Sequence, residues 1–331
     1  MSDGSIAPSC PKWLERLLGT GQITKAFART WGRIALVTAT VAMMLAAVDL
    51  SGVRSMLVPE VGAVSAGLLL FRTPSWRSQP LQIYLMLVGA GFLGIEISRY
   101  LQEPEIIKIW LTLATIVLSI LVLRVPALPA ISAGLLPVYL GLSSPLYVVA
   151  VAAFMAPPVM LVLAIERPAL ASNAPLGLAK LETKVLIGSL SLMVAAAWLF
   201  GTPLAVLPPL LVATAEGAAE AESTRLPVAM TRALLLGAGV ETSIILYLAT
   251  GSLFSVLATV AAMAYVAFRL GLYSPPLLAM SIIPVVFNRS EDQVIAALVP
   301  AGIVLSQLLP LLLARMAALL ARRQSRLERV T

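Results

Sequence analysis

The chain has no histidine, and its single cysteine, Cys10, lies in a polar N-terminal stretch. An internal disulfide, a Cys/His zinc site and histidine acid–base catalysis are therefore excluded. Aspartate is nearly as scarce, being confined to Asp3, Asp49 and Asp292. That leaves no paired-Asp motif to hold magnesium against a diphosphate, and no Gly-rich phosphate loop of the Walker type is present. No metal and no cofactor is expected, and the chain does not read as an enzyme. An energy source, if one is used, has to be an ion gradient, the membrane potential or another subunit. Charge of either sign is thin: 12% of the 331 residues are charged against 60% hydrophobic.

What is abundant is apolar sequence. A water-soluble fold of this length has no core large enough to hide it, so the lipid bilayer is the expected partner. The apolar stretches run mostly 17 to 24 residues between short charged or Gly/Pro loops, the length needed to cross a hydrocarbon core of about 30 Å. Backbone groups in lipid must be satisfied within each span, so the fold class is an all-α polytopic transmembrane bundle. The first half predicts spans at 34–53, 55–71, 81–98, 107–123, 126–142 and 145–165. The second half predicts 184–200, 203–219, 228–249, 251–268, 273–287 and 293–315.

These twelve spans divide the chain into a basic segment 1–33, a membrane repeat 34–165, a linker 166–183, a second membrane repeat 184–316 and a basic tail 317–331. Segment 1–33 shows no removable signal peptide and carries an interfacial helix from Trp13 to Leu18. With the N-terminus inside, only Arg54, Arg99, Lys108 and Arg289 of the 23 basic residues fall outside, and Arg232 falls within a span. The positive-inside rule then places both termini in the cytoplasm, with the plasma membrane as the expected location. The net charge of +7 is explained by topology and anionic headgroups, and no nucleic acid partner is needed. A homo-oligomer is one arrangement that such a bundle allows.

Three landmarks recur in nearly one register between the halves. Pro129–Pro137 reads PAISAGLLP and Pro276–Pro284 reads PLLAMSIIP, 147 residues on. Val88–Phe92 (VGAGF) returns as Leu236–Val240 (LGAGV), offset by 148, and Ser65-Ala66 and Pro59 match Thr214-Ala215 and Pro208, offset by 149. Six spans per half make the two repeats like-oriented. Proline removes a backbone donor and crowds the preceding turn, so the helices framed by Pro129, Pro137, Pro276 and Pro284 are expected to be broken. Broken apolar segments at matching places in two halves point to a transporter binding site.

Gly62-Ala63, Ser65-Ala66, Leu69, Leu70, Phe71, Pro74 and Gln79-Pro80, followed by Leu123-Arg124, Pro129-Ala130, Ala133, Leu135-Leu136 and Pro137, are similar to two signatures of one family. Over residues 55–165 the chain resembles the HPP integral membrane proteins, and the second half echoes them more faintly. Where that family carries His-Pro-Pro, this chain reads Ala127-Leu128-Pro129, so any role of that histidine is absent. Some members are associated with nitrite transport, and the resemblance implies passage of a small inorganic anion.

Ionisable groups inside spans usually face a partner or a water-filled cavity. Glu60, Glu96, Glu216, Glu220, Arg232 and Glu241 are the candidates. Glu216 and Glu220 share a helix face, with Arg232 on the next span as a neutralising partner or a snorkelling interfacial residue. Glu216 and Glu241, the deeper of two third-span carboxylates, are expected to couple ions. Glu96 reads as the outer end of its helix. Ser65, Thr214, Ser132 and Ser281, with Arg232, are expected to bind substrate. The bland alternative for the hydroxyls is packing against a neighbouring carbonyl, as it is for the GAG glycines.

The function expected from these residues is secondary transport or channel-like passage of a small solute. Rival readings are an intramembrane lipid enzyme using Glu216 or Glu241 as a base, and a structural or regulatory membrane subunit.

Overall fold

The computed structural model describes residues 20–166, 180–200, 208–221, 224–272, 275–282, 285 and 292–327. All regular structure among them is helical. In chain order the helices are α1 (Thr20–Ser51), α2 (Glu60–Leu70), α3 (Pro74–Ser78), α4 (Pro80–Tyr100), α5 (Glu105–Leu123), α6 (Pro129–Tyr139) and α7 (Leu146–Glu166). They continue with α8 (Lys180–Phe200), α9 (Pro208–Ala219), α10 (Leu226–Thr250), α11 (Leu253–Arg269), α12 (Pro275–Met280) and α13 (Asp292–Leu327).

Among the described residues, six helical stretches are long and apolar enough to cross a membrane: Thr30–Ser51 in α1, all of α4 and α5, Leu146–Ile165 in α7, all of α10, and Gly302–Ala321 in α13. Their outward faces expose Leu118, Val122, Val149, Leu234 and Leu248. An apolar exterior of this extent is stable in hydrocarbon and not in water.

Inside, where lipid tails give helices no hydrophobic reason to associate, contact depends on close approach. α4 and α6 touch backbone to backbone: a Cβ on Gly94 would lie 2.0 Å from the Gly134 carbonyl oxygen, and one on Gly134 would lie 2.9 Å from that of Ala90. Gly62 of α2 brings its backbone to Leu278 of α12, where an added Cβ would sit 3.1 Å from the Leu278 carbonyl carbon. The GAG pieces are close-packing surfaces at their second glycine only. Gly91 faces Tyr147 and Gly239 faces Leu277 and Met263, whereas Gly89 and Gly237 have open space beside them.

Within the first half α4 packs on α6 and α7, α1 on α2 and α7, α2 on α6 and α7, and α5 on α4 and α6. In the second, α10 packs on α12 and α13, α8 on α9 and α13, α9 on α12 and α13, and α11 on α10 and α12. Between the halves α2 meets α12, α6 meets α9, and α1 meets α11, where Trp31 stacks on Tyr265 at 5.2 Å. The short helices α2, α6, α9 and α12 thus form the middle of the molecule, and the longer ones wall them.

The proline frames take a different form from the one expected. Pro129 opens α6 and Pro275-Pro276 open α12, the first-turn position where a missing N–H costs nothing. Neither proline kinks a longer helix. Pro137 does lie inside α6, yet the helix runs through it to Tyr139. Pro284 lies outside the described residues.

Candidate functional site

The buried centre is built where α2 begins. Glu60 is the first residue of α2, directly after Pro59, and is only 1% exposed. A carboxylate in the first helical turn complements the macrodipole, but burial still demands hydrogen-bond partners. Ser132, one turn into α6, donates its hydroxyl to Glu60 Oε1, and the Glu60 backbone N–H also bonds to the carboxyl. Oε2 is buried and has no partner. The bond ties two helices of about 16 Å each, given 1.5 Å per residue, so neither reaches across the bilayer alone.

Tyr147 on α7 completes the cluster. Pro137 has no N–H for the carbonyl of Ala133 four residues earlier, and such an orphan acceptor is costly in a buried apolar setting. The Tyr147 hydroxyl, fully buried, donates to that oxygen at 3.0 Å. One side chain from a neighbouring helix therefore lets α6 continue through its internal proline. The same phenol is the titratable group that interacts electrostatically with Glu60.

Further along α2, residues Ala66–Leu70 form a π-turn, with Phe71 N–H donating to Ala66 O at 2.8 Å. π-turns inside α-helices often mark functional positions. Here the wider turn sits where the indole of Trp76 presses on Gly67, since a Cβ there would fall 2.4 Å from the ring.

Compared with known proteins, the chain matches no family model, no curated protein and no solved structure.

Of the expected hydroxyl ligands, Ser132 alone is engaged by an ionisable side chain. Thr214 and Ser281 are fully buried but donate to the carbonyls four residues back, Leu210 O at 2.8 Å and Leu277 O at 2.9 Å. Their hydroxyls are spent on helix backbone, the bland alternative for membrane helices. The Ser281 carbonyl accepts from Ser243 of α10 at 2.6 Å, which pins α12 to that helix. Ser65 is buried with its hydroxyl unbonded, at the junction between the α- and π-turns of α2.

The expected ion-coupling carboxylates are corrected in one case. Glu241 does not reach the interior; it is exposed on α10. The packing face of α10 runs through Ala229, Ala233, Leu236, Val240 and Ser243, and the residue after Val240 is rotated about 100° away from it. Glu216 is half-buried at the C-terminal part of α9, with Oε1 sealed and unbonded. Arg232 pairs with Glu220, one turn further on, and lowers the cost of both carboxylates. Glu96 is partly exposed at the end of α4, where the guanidinium of Arg99 lies 5.2 Å over the ring of Tyr100.

The Arg232–Glu220 pair is open to test. Arg232→Ala should destabilise the protein more in the wild-type background than in Glu220→Gln, with a coupling of about 1 kcal/mol for a partly exposed pair. Thermal midpoints of the four proteins in detergent measure it, and equal losses in both backgrounds would mean that the ion pair contributes nothing.

Two groups of the centre were not among the expected ligands. Glu60 was visible as an intramembrane carboxylate but carried no repeat partner, since Pro209 stands at the matching place in the second half. Tyr147 gave no signal beyond being a tyrosine at the start of a span, where the ring usually marks the membrane interface.

Proposed function

We propose that this protein is a membrane transporter or channel-like protein for a small solute, with an inorganic anion such as nitrite as the candidate class. The observation that carries the reading is the buried middle: α2, α6, α9 and α12 are short, enclosed by longer apolar helices, and meet around polar groups. A purely structural bundle gains nothing from helices too short to span the bilayer, since their ends leave backbone groups to satisfy. Carriers use such ends to contact solutes near the midplane.

Two like-oriented six-helix repeats, with both termini in the cytoplasm, belong to the same reading. Its support is the agreement between the sequence landmarks and the packing, because each helix pair named above for the first half has its counterpart in the second. Pro59 and Pro208 both stand at the start of the second helix of their half, and Pro129 and Pro276 both lie in the first turn of the fifth. The pathway then lies between the halves, where α2 meets α12 and α6 meets α9. The anion class comes from the resemblance of residues 55–165 to HPP proteins.

Purified protein reconstituted into liposomes should accumulate nitrite faster than empty vesicles, and Arg232→Ala should change the rate. Absence of flux for nitrite and other small anions, combined with turnover of the vesicle lipids, would replace this function with an intramembrane enzyme.

A further inference from the structure

We propose that Glu60 is the proton-binding residue of the pathway and that the protein moves its solute together with a proton. This rests on the transport reading and names its coupling ion. Three observations meet at the residue. The carboxyl is sealed inside the molecule, Oε2 has no partner, and Oε1 is held by Ser132 across the contact between two short helices.

Among the described residues, the surroundings of Glu60 contain no cation to balance a charge. Against α2, helix α6 presents the Ser132 hydroxyl and α7 presents the Tyr147 phenol. From α1 comes Met44, whose sulfur accepts from Val58 N–H at 3.2 Å, and from α12 comes Leu278. Among the described residues, Tyr147 is the titratable group facing Glu60, and a phenol supplies no positive charge. An ionised carboxylate without a counter-charge is unstable in such a place. Burial without a neighbouring cation therefore disfavours the ionised form in the closed arrangement.

Coupling follows from that restriction. When the pathway opens to one side, water reaches Glu60 and the carboxylate can ionise, because hydration replaces the missing counter-charge. Before the pathway can close again, a proton from hydronium must add to Oε2, leaving water behind. When the pathway opens to the other side, the O–H bond breaks and the proton passes to water there. Each closed passage thus carries one proton on Glu60. An ionised Glu60 also repels an anion at the same depth, so a neutral Glu60 favours proton and anion moving in the same direction. Ser132 acts as the tie: its hydroxyl holds Oε1 at the α2–α6 contact and leaves Oε2 as the atom that takes the proton.

The test joins two measurements on the full-length protein. Infrared difference spectroscopy on the purified protein during a pH titration should show the carbonyl band of a protonated carboxyl that is missing in Glu60→Gln. In Ser132→Ala, which keeps the carboxyl and loses only its donor, that band should shift. In liposomes, an inward proton gradient should accelerate nitrite uptake by wild type, and Glu60→Gln should lose the acceleration while keeping downhill movement. Gradient-driven uptake that persists in Glu60→Gln, or a spectrum without a titrating band assignable to Glu60, overturns the proposal. Lack of nitrite movement in any protein counts against the transport reading, while the infrared titration still decides whether Glu60 binds a proton.

Discussion

Gly94→Ala should lower the thermal midpoint of the detergent-solubilised protein by several degrees, although alanine is the better helix former. The added Cβ would lie 2.0 Å from the carbonyl oxygen of Gly134, and that neighbour is backbone, so no side chain can swing aside. Relief requires α4 and α6 to separate, which also loosens the contact of Gly134 with Ala90. Overpacking of this kind costs about 1–3 kcal/mol, and Gly94→Val should leave no monodisperse protein. Gly89→Ala is the internal control. It lies five residues earlier on the same helix with nothing within 4 Å of its added Cβ, so it should be neutral or stabilising by up to about 1 kcal/mol. Size-exclusion chromatography after heating to graded temperatures reads all three, and similar behaviour of Gly94→Ala and Gly89→Ala would show that the α4–α6 contact is looser than described.

Tyr147→Phe is expected to destabilise the protein by about 1–3 kcal/mol, the cost of leaving a buried acceptor without a partner. Phenylalanine keeps the ring that fills the space beside Gly91 and removes only the hydroxyl that serves the Ala133 carbonyl. The cause can be isolated, because Pro137→Ala restores a backbone N–H four residues after Ala133. In that background Tyr147→Phe should cost much less, since the carbonyl then has an intrahelical donor. Thermal midpoints of wild type, both single variants and the double variant form the cycle. An unchanged cost in the Pro137→Ala background would mean that Tyr147 acts through Glu60 or through packing rather than by satisfying the proline-freed carbonyl.

Residue type alone was informative at single positions. Pro137 was legible as a missing backbone donor, though the expected helix break did not follow, and the GAG pieces were legible as close-packing surfaces. Both follow from local chemistry: a missing N–H and a missing side chain are properties of single positions. Ser132 was marked in the same way, as a hydroxyl inside a proline frame.

The partners were not legible, because each lies on a different helix. Ser132 meets Glu60 across 72 residues of sequence, and Ser281 meets Ser243 across 38. Thr214, matched to Ser65, and Ser281, set like Ser132 in a proline frame, were expected to bind substrate, yet both turn back to their own helices. Glu241 failed for a rotational reason, since a one-residue step on a helix turns a side chain by about 100° and sequence depth alone does not say which way.

Composition by itself determined that the chain is helical and belongs in a membrane, because no other backbone arrangement satisfies its own polar groups in such apolar sequence without closing into a barrel. It also determined that histidine chemistry, an internal disulfide and a Cys/His zinc site are excluded. Only the tertiary structure decided that a buried carboxyl, a serine and a tyrosine from three helices share one centre, and that Arg232 serves Glu220. Burial and charge pairing depend on which helix faces meet, and that is set by packing over long sequence separations rather than by any local pattern.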